Sequence, residues 1–207
     1  MKPIFLDYSA GKNNPSAIYA EGVEARRALE TARKVVAECI GALPDEIIFT
    51  HTGTEANNLA ILGVAVGHQI VSNVEHPSLH KAALHRGNFT EVEPTLVGVK
   101  TALTPETVLV SIMYVQNETG AIYPIREIAK ITRRAGVIFH TDACQALSYL
   151  PLNVRKLGVD MMTISGRKLF PSVHVGALYA RRGIELSQQV FGGGQERGRR
   201  AGTEDVS

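Results

Sequence analysis

The 207-residue chain contains no tryptophan, and phenylalanine and tyrosine contribute six residues each. So few flat side chains argue against a platform for stacked nucleic-acid bases. Cysteine occurs only as Cys39 and Cys144. Two such cysteines build neither a disulfide framework nor a metal site of recognisable spacing, and they suit a reducing, cytoplasmic setting. One-sided charge is also missing: 22 Lys and Arg against 20 Asp and Glu leave a net charge of +2. Neither nucleic acid nor a membrane is therefore an expected partner. No apolar run approaches the ~20 residues of a membrane-spanning helix. The opening Met-Lys-Pro-Ile-Phe-Leu-Asp turns polar too soon for a secretory signal. What is present is a composition of 44% hydrophobic and 20% charged residues, ordinary for a soluble globular domain with a sizeable core.

The apolar pattern alternates between short runs and amphipathic stretches. Residues 4–6 form a short run ending at Asp7, and residues 11–15 are turn chemistry. Residues 16–40 read as a long helix capped by Ser16, with Ala25, Leu29, Ala32, Val36 and Cys39 or Ile40 on its inner face. Strands are expected at 47–49, 69–73, 108–115 and 175–180, and two more begin near Val137 and Val159. Helices are expected at 55–66, 77–85 and 124–134, the last turning Ile125, Ile128, Ala129 and Ile131 inward. Residues 88–107 are ambiguous, and the glycine- and arginine-rich tail from Gly192 reads as irregular. Strands alternating with helices predict an α/β fold of three layers, α/β/α, around a mainly parallel sheet.

In such sheets ligands sit beyond the carboxyl ends of the strands. Asp142 and Lys168 each follow a strand. A lysine amine that forms a Schiff base and a carboxylate that keeps a pyridine nitrogen protonated are what pyridoxal phosphate chemistry requires. Taken alone, the pair reads first as a strand-end cap and a surface lysine. Other strand ends add to it. Gly53-Thr54 precedes a helix, where backbone amides bind anions, although Thr54 equally suits a plain N-cap. His76, Asn117, Gln145 and Ser165 also follow strands. Each is a weak signal by itself, and their convergence on one edge is the stronger one.

Several segments resemble cysteine desulfurases of the NifS/IscS type, fold-type I pyridoxal-phosphate enzymes of the class V aminotransferase family. They are Phe5-Leu-Asp-Tyr8, Asn14-Pro-Ser16, Glu46-Ile-Ile-Phe-Thr50, Gly53-Thr-Glu-Ala-Asn-Asn58, Glu75-His76, Val110-Ser-Ile-Met113, Asn117-Glu-Thr-Gly120, His140-Thr-Asp-Ala-Cys-Gln145, Ser165-Gly-Arg-Lys168, Gly176-Ala-Leu-Tyr179 and the run from Gly192 through Thr203. They recur in family order over nearly the whole chain. The resemblance implies pyridoxal 5′-phosphate held covalently by Lys168, with Asp142 at the pyridine nitrogen and His76 stacked on the ring. It places Asn117 and Gln145 near the phenolic oxygen, and Gly53, Thr54, Ser165, Gly166 and Arg167 around the phosphate. Thr203 would reach the phosphate of a partner subunit, which implies a homodimer. The implied reaction takes L-cysteine to L-alanine and passes sulfur, as an enzyme persulfide, to an acceptor or iron–sulfur scaffold protein and to tRNA thiolation.

The sequence also departs from that pattern. Residues 1–15 read as a shortened leading segment and 16–207 as the cofactor-binding large domain. No segment matches the family's small C-terminal domain, with its sulfur-accepting cysteine and substrate-carboxylate arginine. Cys144 aligns beside Asp142 and Gln145 instead, and Cys39 is expected in the core. Arg167 stands where the family has histidine, Pro171-Ser-Val-His174 replaces a glycine-flanked loop, and His51-Thr52 replaces a Ser-Gly pair. Alternative readings are a non-catalytic relative that binds the cofactor or a protein partner, and another class V activity such as selenocysteine lyase.

Overall fold

A computed structural model describes residues 14–170 and 174–206. The expected run at 4–6, the start of the turn at 11–15 and most of the Pro171–His174 replacement lie outside the described residues. Helix α1 (Ala20–Ile40) ends at Gly41, whose left-handed φ of 68° lets its amide donate to the carbonyls of Ala37 and Glu38. α1 begins four residues later than Ser16, after a turn in which the amide of Ala17 donates to the Asn14 carbonyl. Its buried stripe is Ala25, Leu29, Arg33, Ala37 and Ile40. Cys39 and Ala32 are exposed, so the expected core position of Cys39 is overturned. The stripe is rotated because Arg33, a charged residue, occupies the core beneath the helix.

Strand β1 (Ile47–Thr50) leads into helix α2 (Gly53–Gly63), and β2 (His68–Ser72) leads into α3 (Pro77–Arg86). The ambiguous segment resolves into β3 (Phe89–Val92) and a short α4 (Leu96–Ala102), which is capped by the Thr95 hydroxyl accepting from the Gly98 amide. β4 (Thr107–Ser111) is shorter than the sequence suggests. Beyond it the chain still follows its neighbour, since the amides of Ile112 and Tyr114 donate to the carbonyls of His140 and Asp142. α5 (Ile125–Ala135), β5 (Ile138–Asp142), α6 (Val154–Leu157), β6 (Met161–Ser165) and β7 (Gly176–Ala180) complete the order.

The strands form one sheet in the order β1-β7-β6-β5-β4-β2-β3. β2 through β6 are mutually parallel, whereas β7 is antiparallel to both β6 and β1. Every strand except β7 therefore runs the same way. The carboxyl ends of β1, β2, β4, β5 and β6 share one edge with the amino end of β7. Successive side chains serve opposite faces. Ile47, Ile70, Val110, Phe139 and Met162 enter one core with α1, α5 and α6. Ile48, Val71, Leu109 and Met161 enter the other with α2 and α3. This is the expected three-layer, mainly parallel architecture.

Candidate active site

A cavity of about 380 Å³ opens at the shared strand edge. Of the residues singled out from the sequence, Gly53, Thr54, His76, Asn117, Asp142, Gln145, Ser165, Arg167 and Lys168 line it. Gly166 does not, and its amide already donates to the Val175 carbonyl at 2.9 Å. Thr203 is exposed and also lies outside the cavity of its own chain. Lys168 ends a single turn, Gly166–Lys168, directly after β6, while Asp142 closes the neighbouring β5.

Asp142 forms the buried end of a polar chain. Its Oδ2 accepts from Asn57 Nδ2 at 2.7 Å, and its Oδ1 accepts from the Cys144 amide at 2.9 Å. Asn57 Nδ2 also donates to Ser78 Oγ at 3.0 Å. Ser78 Oγ lies 2.7 Å from His76 Nδ1, and the Ser78 amide donates to the same nitrogen at 3.1 Å. His76 is thereby the N-cap of α3. Asn57 and Ser78 were not among the residues picked from the sequence. A signal for Asn57 was available: it stands three residues after Thr54, one helical turn along α2, so it faces the same side. Ser78 carried none beyond its closeness to His76.

The start of α2 forms the opposite wall. The N-cap is Thr52, whose hydroxyl accepts from the Glu55 amide, not Thr54. Thr54 stands inside the first turn, where amides lack intrahelical partners. Gly53 is buried, and a Cβ there would come within 2.9 Å of Cys144 Sγ. Across the wall, a Cβ on Gly176 would meet the Thr52 carbonyl carbon at 2.3 Å. Glycine at both positions lets β7 and the α2 turn close on the cavity. Glu55 accepts from the His51 amide and from Arg200 Nε at 2.8 and 2.7 Å, which ties the tail to this turn.

Three titratable groups near Asp142 are shifted by burial of their ionisable atoms, and each also feels the Asp142 charge. Burial pushes the Glu75 carboxyl up to about 8, against hydrogen bonds from Ser72 Oγ and the Met113 amide and reinforced by the Asp142 charge. Glu75 as a residue is partly exposed, but its Oε2 is buried without a partner among the described residues. Burial lowers His140 to about 4, and its ring nitrogens meet Ser111 Oγ at 2.8 Å and Thr163 Oγ1 at 3.0 Å. His140 is thus a satisfied core histidine. Burial, and then the Asp142 charge, raise the Cys144 thiol well above its ordinary value.

Residues 2–204 match the family model described as aminotransferase class-V. The cysteine desulfurase IscS of Dictyoglomus turgidum (strain DSM 6724 / Z-1310) is 44% identical over 227 residues, spanning 100% of this chain and 56% of that protein. A solved structure titled "SspA in complex with cysteine" superimposes with a TM-score of 0.87 at 36% identity, covering 93% of this chain and 61% of that one. A NifS-like protein gives a TM-score of 0.89 at 30% identity, covering 96% of this chain and 60% of the other. The chain spans about half the length of the curated relatives it matches.

Proposed function

Because this chain belongs to the class V aminotransferase family, as a cysteine desulfurase-like domain, we propose that it binds pyridoxal 5′-phosphate in the strand-edge cavity and supplies the cofactor half of a desulfurase acting on L-cysteine. One observation carries this reading. A single cavity holds an acid, Asp142, a lysine, Lys168, and the amino end of a helix, Gly53-Thr54. The cavity also fits the group on its own terms. The crowding that any Cβ at Gly53 would meet keeps the turn bare for an anion. Each Asp142 oxygen accepts one hydrogen bond, Oδ2 from Asn57 and Oδ1 from the Cys144 amide, so each keeps a lone pair, and a buried carboxylate of this kind suits a protonated ring nitrogen.

When bound, the cofactor supplies an electron sink for charge developing at the substrate Cα. The remaining tasks fall to the chain. Lys168 would provide the amine that holds the cofactor and could carry a proton to or from the substrate Cα. Asp142 would keep a ring nitrogen charged, and His76 would lie against the ring. Asn117 and Gln145 would offer amides to a ring oxygen. The first-turn amides of α2, the hydroxyls of Thr54 and Ser165 and the guanidinium of Arg167 would hold the phosphate; Gly166 supports the Lys168 turn through its amide's bond to the Val175 carbonyl. The net reaction, L-cysteine plus an acceptor thiol to L-alanine plus a persulfide, balances without an external oxidant. Neither cysteine described here suits the acceptor. The Cys144 thiol is buried beside Asp142, which disfavours the thiolate, and Cys39 lies outside the cavity on α1. We place the acceptor thiol on neither Cys39 nor Cys144, in a homodimeric assembly that Thr203 completes from the partner.

The test is a visible absorption spectrum of the purified chain with pyridoxal 5′-phosphate, alongside Lys168→Ala. The expected result is a band present in the wild type and lost in the variant. With L-cysteine added, the chain alone should yield no L-alanine above the free-cofactor background. A band independent of Lys168 refutes the site. Alanine production by the chain alone refutes the assignment of the acceptor.

A further inference from the structure

The polar chain from Asp142 to His76 has a direction set by charge. A carboxylate only accepts hydrogen bonds. Asn57 must therefore turn its NH₂ toward Asp142 Oδ2, 2.7 Å away, and the same nitrogen faces Ser78 Oγ at 3.0 Å. Turning the amide over would set its carbonyl oxygen against the carboxylate. With Ser78 Oγ accepting from Asn57, its own proton points to His76 Nδ1 at 2.7 Å. The Ser78 amide, which can only donate, reaches the same nitrogen at 3.1 Å. Two donors aimed at Nδ1 require a lone pair there, so in the neutral ring the proton resides on Nε2.

We propose that Ser78, oriented through Asn57 by the Asp142 carboxylate, is a positioning residue that holds His76 in its Nε2-protonated tautomer. The neutral His76 ring then carries its donor on Nε2, and its Nδ1 lone pair is committed to Ser78. The charge on Asp142 and the hydrogen-bonding state of His76 are linked through two intervening side chains. This rests on reading His76 as a group of the proposed cofactor site, but the linkage is a property of the chain without cofactor and is measured there.

The experiment is ¹⁵N and ¹³C NMR of the histidine-labelled 207-residue chain at a pH where His76 is neutral, assigned with His76→Gln. The wild type should show Nδ1 as the unprotonated nitrogen. Ser78→Ala removes one donor and should lower the ratio of Nε2-protonated to Nδ1-protonated ring about fivefold, the equilibrium worth of one neutral hydrogen bond. Ser78→Thr keeps a hydroxyl and should restore the wild-type ratio. Asp142→Asn allows the Asn57 amide to turn over, so that the Ser78 hydroxyl donates to Asn57 and is lost to His76; the ratio should fall by a similar factor. A local steric role for Ser78 would not respond to Asp142. The proposal is overturned by an Nδ1-protonated ring in the wild type, by an unchanged ratio in both Ser78→Ala and Asp142→Asn, or by a change in the first without one in the second. Amide spectra report folding of each variant. A missing Lys168-dependent absorption band would refute the cofactor site and leave this linkage standing, so the two readings fail separately.

Discussion

The Glu75 carboxyl and the His140 ring are both desolvated, and this moves them in opposite directions: Glu75 from 4.5 to about 8, His140 from 6.5 to about 4. Between pH 4.5 and 8 the folded chain keeps a proton on Glu75 that the unfolded chain has released, so raising the pH favours unfolding. Between pH 6.5 and 4 the unfolded chain takes up a proton that His140 refuses in the fold, so lowering the pH favours unfolding. The two effects oppose each other from 4.5 to 6.5, and above 6.5 the Glu75 effect stands without that opposition. The urea midpoint of the cofactor-free wild type should therefore fall from pH 6.5 to 8, by at most ~1.4 kcal/mol of stability per pH unit. In Glu75→Gln the Oε1 acceptor for Ser72 and Met113 is kept while the proton is lost, and the curve should flatten. Parallel slopes in the two proteins would mean that Glu75 is already ionised in the fold.

The tail illustrates how an irregular element is held. The turn Gln195–Gly198 carries Glu196 and Arg197 at φ of 47° and 58°, left-handed values that cost a side-chain-bearing residue free energy. Glu196 is 3% exposed and Arg33 is 2% exposed. Their bidentate pair spans 2.7 and 2.8 Å, and Glu196 Oε2 also accepts from the Phe49 amide at 2.9 Å. The guanidinium lies 4.8 Å from the Phe49 ring centre. One carboxylate thus joins α1, β1 and the tail. Removing it leaves the buried Arg33 with only Glu30 and the Ile47 carbonyl and the Phe49 amide without its acceptor, so Glu196→Ala should lose about 3 kcal/mol in urea unfolding, the low end for a broken buried pair. Arg197→Gly relaxes the left-handed turn and should change stability far less, in the stabilising direction. Equal losses in both would place the energy in the turn and not in the ion pair.

The whole molecule presents large apolar side chains to solvent, among them Ile18, Phe170 and Phe191. Thr203 is exposed beyond the cavity of its own chain. In the proposed homodimer Thr203 would reach the partner's phosphate position. Cofactor retention should then depend on protein concentration by mass action. Sedimentation velocity and the visible band, followed through one dilution series, should show dimer and bound cofactor disappearing together. Thr203→Val should weaken retention while leaving the dimer intact. A chain that sediments as a monomer and still keeps its band would overturn the shared site.

Alternating apolar runs and amphipathic stretches were enough to predict three layers and a mainly parallel sheet, because side-chain periods of 2 and 3.6 are local properties of the backbone. The strand-end positions of Asp142, Lys168, His76 and Thr54 were legible for the same reason: a polar residue after a buried run marks where a strand leaves the core. Strand order was not legible. The insertion of antiparallel β7 between β6 and β1 depends on contacts distant in the chain, and it is what carries Val175 and His174 to the cavity. Nor could the periodicity of α1 reveal that Arg33 would be buried and Cys39 exposed, since that follows from Glu196, 163 residues away. Asn57 and Ser78 belong to the same class. Each is an ordinary helix residue in the sequence; the Ser78–His76 contact is local, and only tertiary packing joins Asn57 to Ser78 and to Asp142. Local chemistry determined which elements form and where they end. Tertiary packing decided which buried polar groups meet, because a buried charge requires a partner wherever in the chain that partner lies.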